Sequence, residues 1–134
     1  MPVLPDDDVA VPVPHRLVVS AAVGVARVLA RRRPADLCRI LATVRRGAPP
    51  ASYAEAQRAR NLVLTVSTRC CGRKACLQRS IATFLVCRAW GRSVTWCAGV
   101  LAAPPFTAHA WVEACGRPVD ESGDGTALTT ICSV

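Results

Sequence analysis

The chain holds only two histidines, and one of them, His109, lies in the run FTAHAWVEACGRPVD at 106–120, among small and apolar neighbours with an acidic cluster just beyond. An imidazole titrates near neutral pH. To act as a catalyst it needs an acid that fixes its tautomer and a nucleophile whose proton it can take. Candidate acids follow at Asp120, Glu121 and Asp124. A hairpin turning about Cys115 and Gly116 would set position 122 opposite 109, so even-numbered residues of the returning strand share the histidine's face. That geometry favours Asp120 or Asp124 over Glu121. The bland alternative for all three is a solvated loop around ESGDG.

For the nucleophile, eight cysteines offer too many choices until their positions are compared. Cys38 and Cys87 lie within helical patterns, and Cys97, Cys115 and Cys132 lie in or beside strand patterns. Cys76 stands at the expected start of a helix, just after Arg73 and Lys74. Unpaired N–H groups, the helix dipole and nearby cations at such a position all favour a thiolate. The backbone N–H of Cys76 would also be available to an oxyanion. Cys70 and Cys71 are the nearest competitors, and Ser80 and Ser93 have no base beside them in the sequence. The thiols lack C-x-x-C spacing and no H-x3–5-H pair completes a set, so no metal site is expected. Gly-rich phosphate loops are absent from the sequence, and no cofactor is expected.

These groups must be positioned by elements whose period changes near residue 92. Before it the pattern is helical: Leu17–Ala30, then a short amphipathic helix with Leu37, Ile40, Leu41 and Val44 at helical spacing, ending at Gly47. Ser52 and Glu55 have capping-box spacing and open a third helix to about Thr65. The fourth carries Leu77, Ile81, Phe84, Leu85 and Arg88 on one face and stops at Gly91. Beyond it SVTWCAGV alternates Val94, Trp96, Ala98 and Val100 on one face, Thr107 to Ala114 forms a second strand, and ALTTICSV a third. On the second strand His109, Trp111 and Glu113 share one face, and Ala108, Ala110, Val112 and Ala114 the other, which can pack closely on a helix. The architecture is α+β, helices first and then a small antiparallel sheet. Residues 1–14, rich in proline and aspartate, are expected to be extended or disordered, and 15–134 to form one domain, helical over 15–70 and carrying the site over 71–134.

Seventeen basic residues against nine acidic give +8, and Lys74 is the only lysine. This charge would attract an acidic peptide, an acidic protein, a membrane surface or nucleic acid, without choosing among them. Six aromatic residues, none interleaved with basic stretches, give little for base stacking, so nucleic acid is not the expected partner. The opening MPVLPDDDVAVPVP lacks the pattern of a secretory signal. A cytoplasmic, reducing environment is therefore expected, with most cysteines serving as small apolar core residues. Residues 17–30 contain Arg27 and are too few to span a membrane. They read as a buried helix, or as one that lies on a membrane surface or on a partner.

The segments CLQRSIATFLVCRAWG (76–91), CAGV (97–100) and PFTAHAWVEACGRPVD (105–120) together resemble the leader peptidase of lasso peptide biosynthesis. The likeness is to its stand-alone form, separate from the small leader-binding protein, within the transglutaminase-like branch of papain-type cysteine peptidases. It is sharp over about 76–120 and diffuse before that. The resemblance implies Cys76 as nucleophile, His109 as general base and acid, and Asp120 as the residue that orients His109, with Arg79 and Ser80 in packing or substrate contact. It also implies removal of a leader from a ribosomally made precursor peptide without metal or nucleotide. A leader-binding recognition protein would deliver the substrate, and an ATP-dependent lasso cyclase would follow. Two other readings are a papain-like acyltransferase or amidase, and a non-catalytic adaptor in peptide maturation.

Overall fold

The computed structural model describes residues 13–67, 75–101, 108–119 and 128–134. Four helices come first, α1 (Val13–Leu29), α2 (Pro34–Arg45), α3 (Tyr53–Val66) and α4 (Cys76–Ala89). Four strands follow, β1 (Thr95–Leu101), β2 (Ala108–Ala114), β3 (Arg117–Pro118) and β4 (Leu128–Ser133). The change of period near residue 92 therefore marks the boundary between helices and sheet.

α1 starts at Val13, ahead of the expected Leu17, and takes in the last two residues of the expected N-terminal stretch. Pro14 falls in its first turn, where a missing N–H breaks no helical bond. Its inner stripe of Val19, Ala22, Val23, Ala26 and Leu29 is buried, and α1 packs chiefly on α4. α2 begins with Pro34 in its first turn and buries Leu37 and Leu41. Gly47 just beyond it has φ 78°, the left-handed conformation that favours glycine at a helix stop. α3 opens with the capping box read from the sequence: the Glu55 N–H donates to Ser52 Oγ and the Ser52 N–H to Glu55 Oε1, each at 3.1 Å. Glu55 also reaches Arg92 at 3.4 Å, tying the start of α3 to the connection before β1.

α4 differs from the one-faced helix expected. Ile81 and Phe84 are buried, but so are Arg79, Ser80, Ala82, Thr83, Val86 and Cys87. The reason is its place: α1 and α3 pack on it and β2 lies against it, and a helix enclosed in this way has no solvent face to keep polar. Its end is held by Arg88, whose Nε donates to the Val44 carbonyl at 2.7 Å.

The sheet is antiparallel with order β3-β2-β1-β4. Val94 and Trp96 are buried against the helices with Ala110, Val112 and Ala114, and the Trp96 indole N–H donates to Ser80 Oγ on α4 at 3.0 Å. The alanine face of β2 thus packs on α4 as the alternation predicts. β1 is central and buried on both faces, so Cys97 is as enclosed as Trp96. Its register with β4 shifts between Ala98 and Gly99. A Cβ at Gly99 would run into the Thr129 carbonyl, so the two backbones approach there as only glycine permits. Between β2 and β3, Cys115 (φ 54°) and Gly116 (φ 73°) form the turn. The pairs Glu113↔Pro118 and Ala114↔Arg117 set the register assumed from the sequence.

The cysteines depart from the expectation of mostly core residues. Cys87 and Cys97 are buried, whereas Cys38, Cys76 and Cys132 are half-buried and Cys115 is exposed. A helix start, an edge strand and a turn cannot be enclosed as a central helix or strand can. Cys70 and Cys71 lie outside the described residues.

Candidate active site

α4 begins at Cys76 because Ala75 before it leaves the helical conformation, and the methyl of Ala75 offers no oxygen to cap the first turn. The thiol is therefore held where helical N–H groups are still unpaired within the helix. It meets β2 from the side. The His109 side chain hydrogen-bonds the thiol, and the backbone N–H of Ala110 makes a second bond to it. Since the Val112 carbonyl accepts from Val119 on the β3 side, strand alternation turns the backbone groups of Ala110 the same way, away from β1. That edge is where the thiol docks.

These contacts set the charge state. The His109 hydrogen bond is the largest influence, and the Ala110 N–H and the positive charges of His109 and Arg79 act in the same direction. Together they outweigh partial burial and hold the Cys76 thiol below its ordinary range. The other buried thiols behave oppositely: burial pushes Cys87 and Cys97 up to about 12. Among the described cysteines whose titration departs from the ordinary, Cys76 alone moves toward the thiolate.

His109 is held in turn by its own strand. Its ring stacks on Trp111, centroids 5.9 Å apart and planes 16° from parallel. The Trp111 indole N–H donates to Glu113 Oε1 at 3.1 Å, and Trp111 is 1% exposed. Glu113 therefore anchors the tryptophan, and the tryptophan anchors the imidazole.

Cys76 and His109 both line an apolar cleft of about 410 Å³. It is lined by Pro34 and Leu37 of α2, by Ala98, Gly99 and Val100 of β1 and by Ile131 and Cys132 of β4, and Arg32 contributes a cation. A nucleophile beside such a cleft can act on an extended apolar segment laid along it.

Of the residues singled out from the sequence, Cys76 and His109 are thus brought together, and Arg79 is buried in α4 with its charge acting on the thiol. Asp120, Glu121, Asp124, Arg73 and Lys74 lie outside the described residues. Ser80 and Ser93 are occupied structurally: Ser80 donates to the Leu77 carbonyl while accepting from Trp96, and Ser93 donates to the Ala48 carbonyl at 3.1 Å. The Ala110 N–H and the cleft had no signal in the sequence, because both arise from elements that meet only in the fold. The stacking of Trp111 on His109 had one, their i, i+2 spacing on a strand. Among the described residues no group of three or more His, Cys, Asp or Glu could hold a metal ion, and no helix is long and apolar enough to cross a membrane.

A thiol activated at the start of a central helix, facing a histidine on an antiparallel sheet, defines a cysteine-centred α+β domain. The chain belongs to the transglutaminase-like superfamily, whose family model matches residues 19–133. Comparisons with curated proteins and with solved structures gave no match.

Proposed function

We propose that the chain is a cysteine peptidase that removes the leader from a ribosomally made lasso peptide precursor. The observation that carries this reading is the Cys76 thiol, hydrogen-bonded by His109 and the Ala110 backbone and drawn toward the thiolate beside an apolar cleft. The likeness of residues 76–120 to the lasso leader peptidase supplies the substrate class.

In the proposed reaction the Cys76 thiolate attacks the scissile carbonyl, and the oxyanion is met by the Cys76 backbone N–H. His109 then gives its proton to the departing amine, leaving an acyl-enzyme. Water, deprotonated by His109, hydrolyses the thioester and restores the thiol. Asp120 is proposed to orient His109. That role is the one the resemblance of residues 76–120 implies for it. The proposed partners are the precursor peptide, a small leader-binding protein that delivers it, and an ATP-dependent cyclase that takes the product. A cytoplasmic location belongs to the same proposal.

A second reading, acyl transfer, uses the same thioester. The apolar lining of the cleft favours it to the extent that water is kept from the intermediate while an amine is admitted.

Mass spectrometry of the precursor after incubation with the protein and its leader-binding partner distinguishes these. Cleavage at one leader–core junction, lost in Cys76→Ala, is expected. Cleavage that survives the substitution overturns Cys76 as nucleophile. An amide to an added amine in place of hydrolysis selects acyl transfer, and no reaction in the presence of bound partner returns weight to the adaptor reading.

A further inference from the structure

Besides the Cys76–His109 pair, two other thiols meet. Cys38 on α2 and Cys132 on β4, 94 residues apart in sequence, bring their sulfurs to 2.9 Å. This is closer than two unbonded sulfurs ordinarily rest, and a covalent bond at about 2.05 Å needs only a small further closure. The pair is half-buried. Among the described residues no third ligand joins it to form a metal site, so the chemistry left to it is with itself.

We propose that Cys38 and Cys132 form a reversible disulfide, joining α2 to β4 on exposure to a small external disulfide. The bond ties together two elements that line the apolar cleft, since Leu37 beside Cys38 on α2 and Cys132 on β4 both face it. An approach exists from outside: Cys38 also lines an open groove of about 540 Å³ together with Arg39, Arg45 and Ser133. The arginines there favour an anionic reagent, as oxidised glutathione is. In the first step one protein thiol, having lost its proton, attacks a sulfur of the reagent, whose S–S bond breaks and releases one small thiolate. The second protein thiol, likewise deprotonated, attacks the mixed disulfide, forms the Cys38–Cys132 bond and releases the other small thiolate. The two protons pass through solvent to the two released thiolates. The protein loses two electrons and the reagent gains them.

Burial, and then the hydrogen bond and charge of Cys132, push the Cys38 thiol up to about 11. Exchange starting at Cys38 is therefore slow at neutral pH and quickens as pH rises toward that value.

The test treats the full chain with oxidised glutathione at about pH 8.5, where thiolates become available. Remaining thiols are blocked with N-ethylmaleimide, and an unreduced digest is read by mass spectrometry. A peptide pair linked through Cys38 and Cys132, about 2 Da lighter than the two thiol peptides together, is expected. It should be reversed by dithiothreitol and absent in Cys38→Ser. Closing so long a loop should also raise the melting temperature by on the order of 5–10 °C in wild type and not in Cys38→Ser. N-ethylmaleimide on both cysteines, a glutathione adduct that persists on either, or linkage of Cys132 to Cys97 instead would overturn the proposal.

Discussion

At the scale of single residues, activation of Cys76 comes mainly from one neighbour. Replacing His109 by Gln removes a cation and exchanges the imidazole for a weaker partner, so the thiol should move back toward its ordinary range. The midpoint of iodoacetamide labelling at Cys76, followed against pH, is expected to rise in His109→Gln, and turnover on the precursor to fall about 10²- to 10⁴-fold. Because the folded value is depressed, the native state gains over the unfolded chain as pH rises through that value, and the gain is complete above the ordinary thiol range. Below neutral pH, Cys76 should label well before Cys87 and Cys97, which burial holds up to about 12. Peptide mapping of a brief labelling reaction checks that order, and equal rates at the three would contradict the thiolate assignment.

At the scale of elements, local signals and packing contribute separately. Ser52→Ala removes one half of the α3 capping box and should lower stability by about 0.5–2 kcal/mol in a denaturant titration, leaving Cys76 labelling unchanged. Gly99→Ala acts through a clash with the Thr129 backbone instead, so β4 must shift. A loss of about 1–3 kcal/mol is expected, along with faster amide exchange across β1 and β4. The boundaries of α2, α3 and α4, the capping box and the β2–β3 turn were legible because each depends on residues within a few positions of one another, whereas the start of α1 at Val13 was not. The all-round burial of α4 was not, since its neighbours α1 and β2 come from opposite ends of the chain.

At the scale of the whole molecule, the cleft is the surface proposed for the precursor, and the outer face of α1 is proposed as the docking surface for its leader-binding partner. Ala98→Leu intrudes on the cleft from β1 while leaving the His109 and Ala110 bonds to the thiol in place. It should raise KM for the precursor by about tenfold or more, for about 1.4 kcal/mol or more of lost binding, with the pH midpoint of Cys76 labelling unmoved. α1 buries one stripe in the core but leaves Val13, Leu17, Val25 and Val28 outside. Deleting it to test partner docking would therefore open the core. Leu17→Asp, on a residue 67% exposed, is the sharper substitution. Unchanged affinity for the leader-bound partner in that variant, measured by calorimetry, would remove α1 from the docking proposal.

By itself the sequence determined the order of the four helices and of the three longer strands, the capping of α3, the chain reversal about Cys115 and Gly116 and the nomination of Cys76 and His109, while the short strand β3 falls on residues read as part of the turn. Backbone period, turn chemistry and helix-end electrostatics are local properties, and they can be read within a short window. Only the tertiary structure decided that the thiol docks on the Ala110 edge of β2, that an apolar cleft opens beside it, and that Cys38 meets Cys132. Each of these joins groups far apart along the chain, and their meeting depends on how helices and sheet pack around α4, which no local pattern encodes.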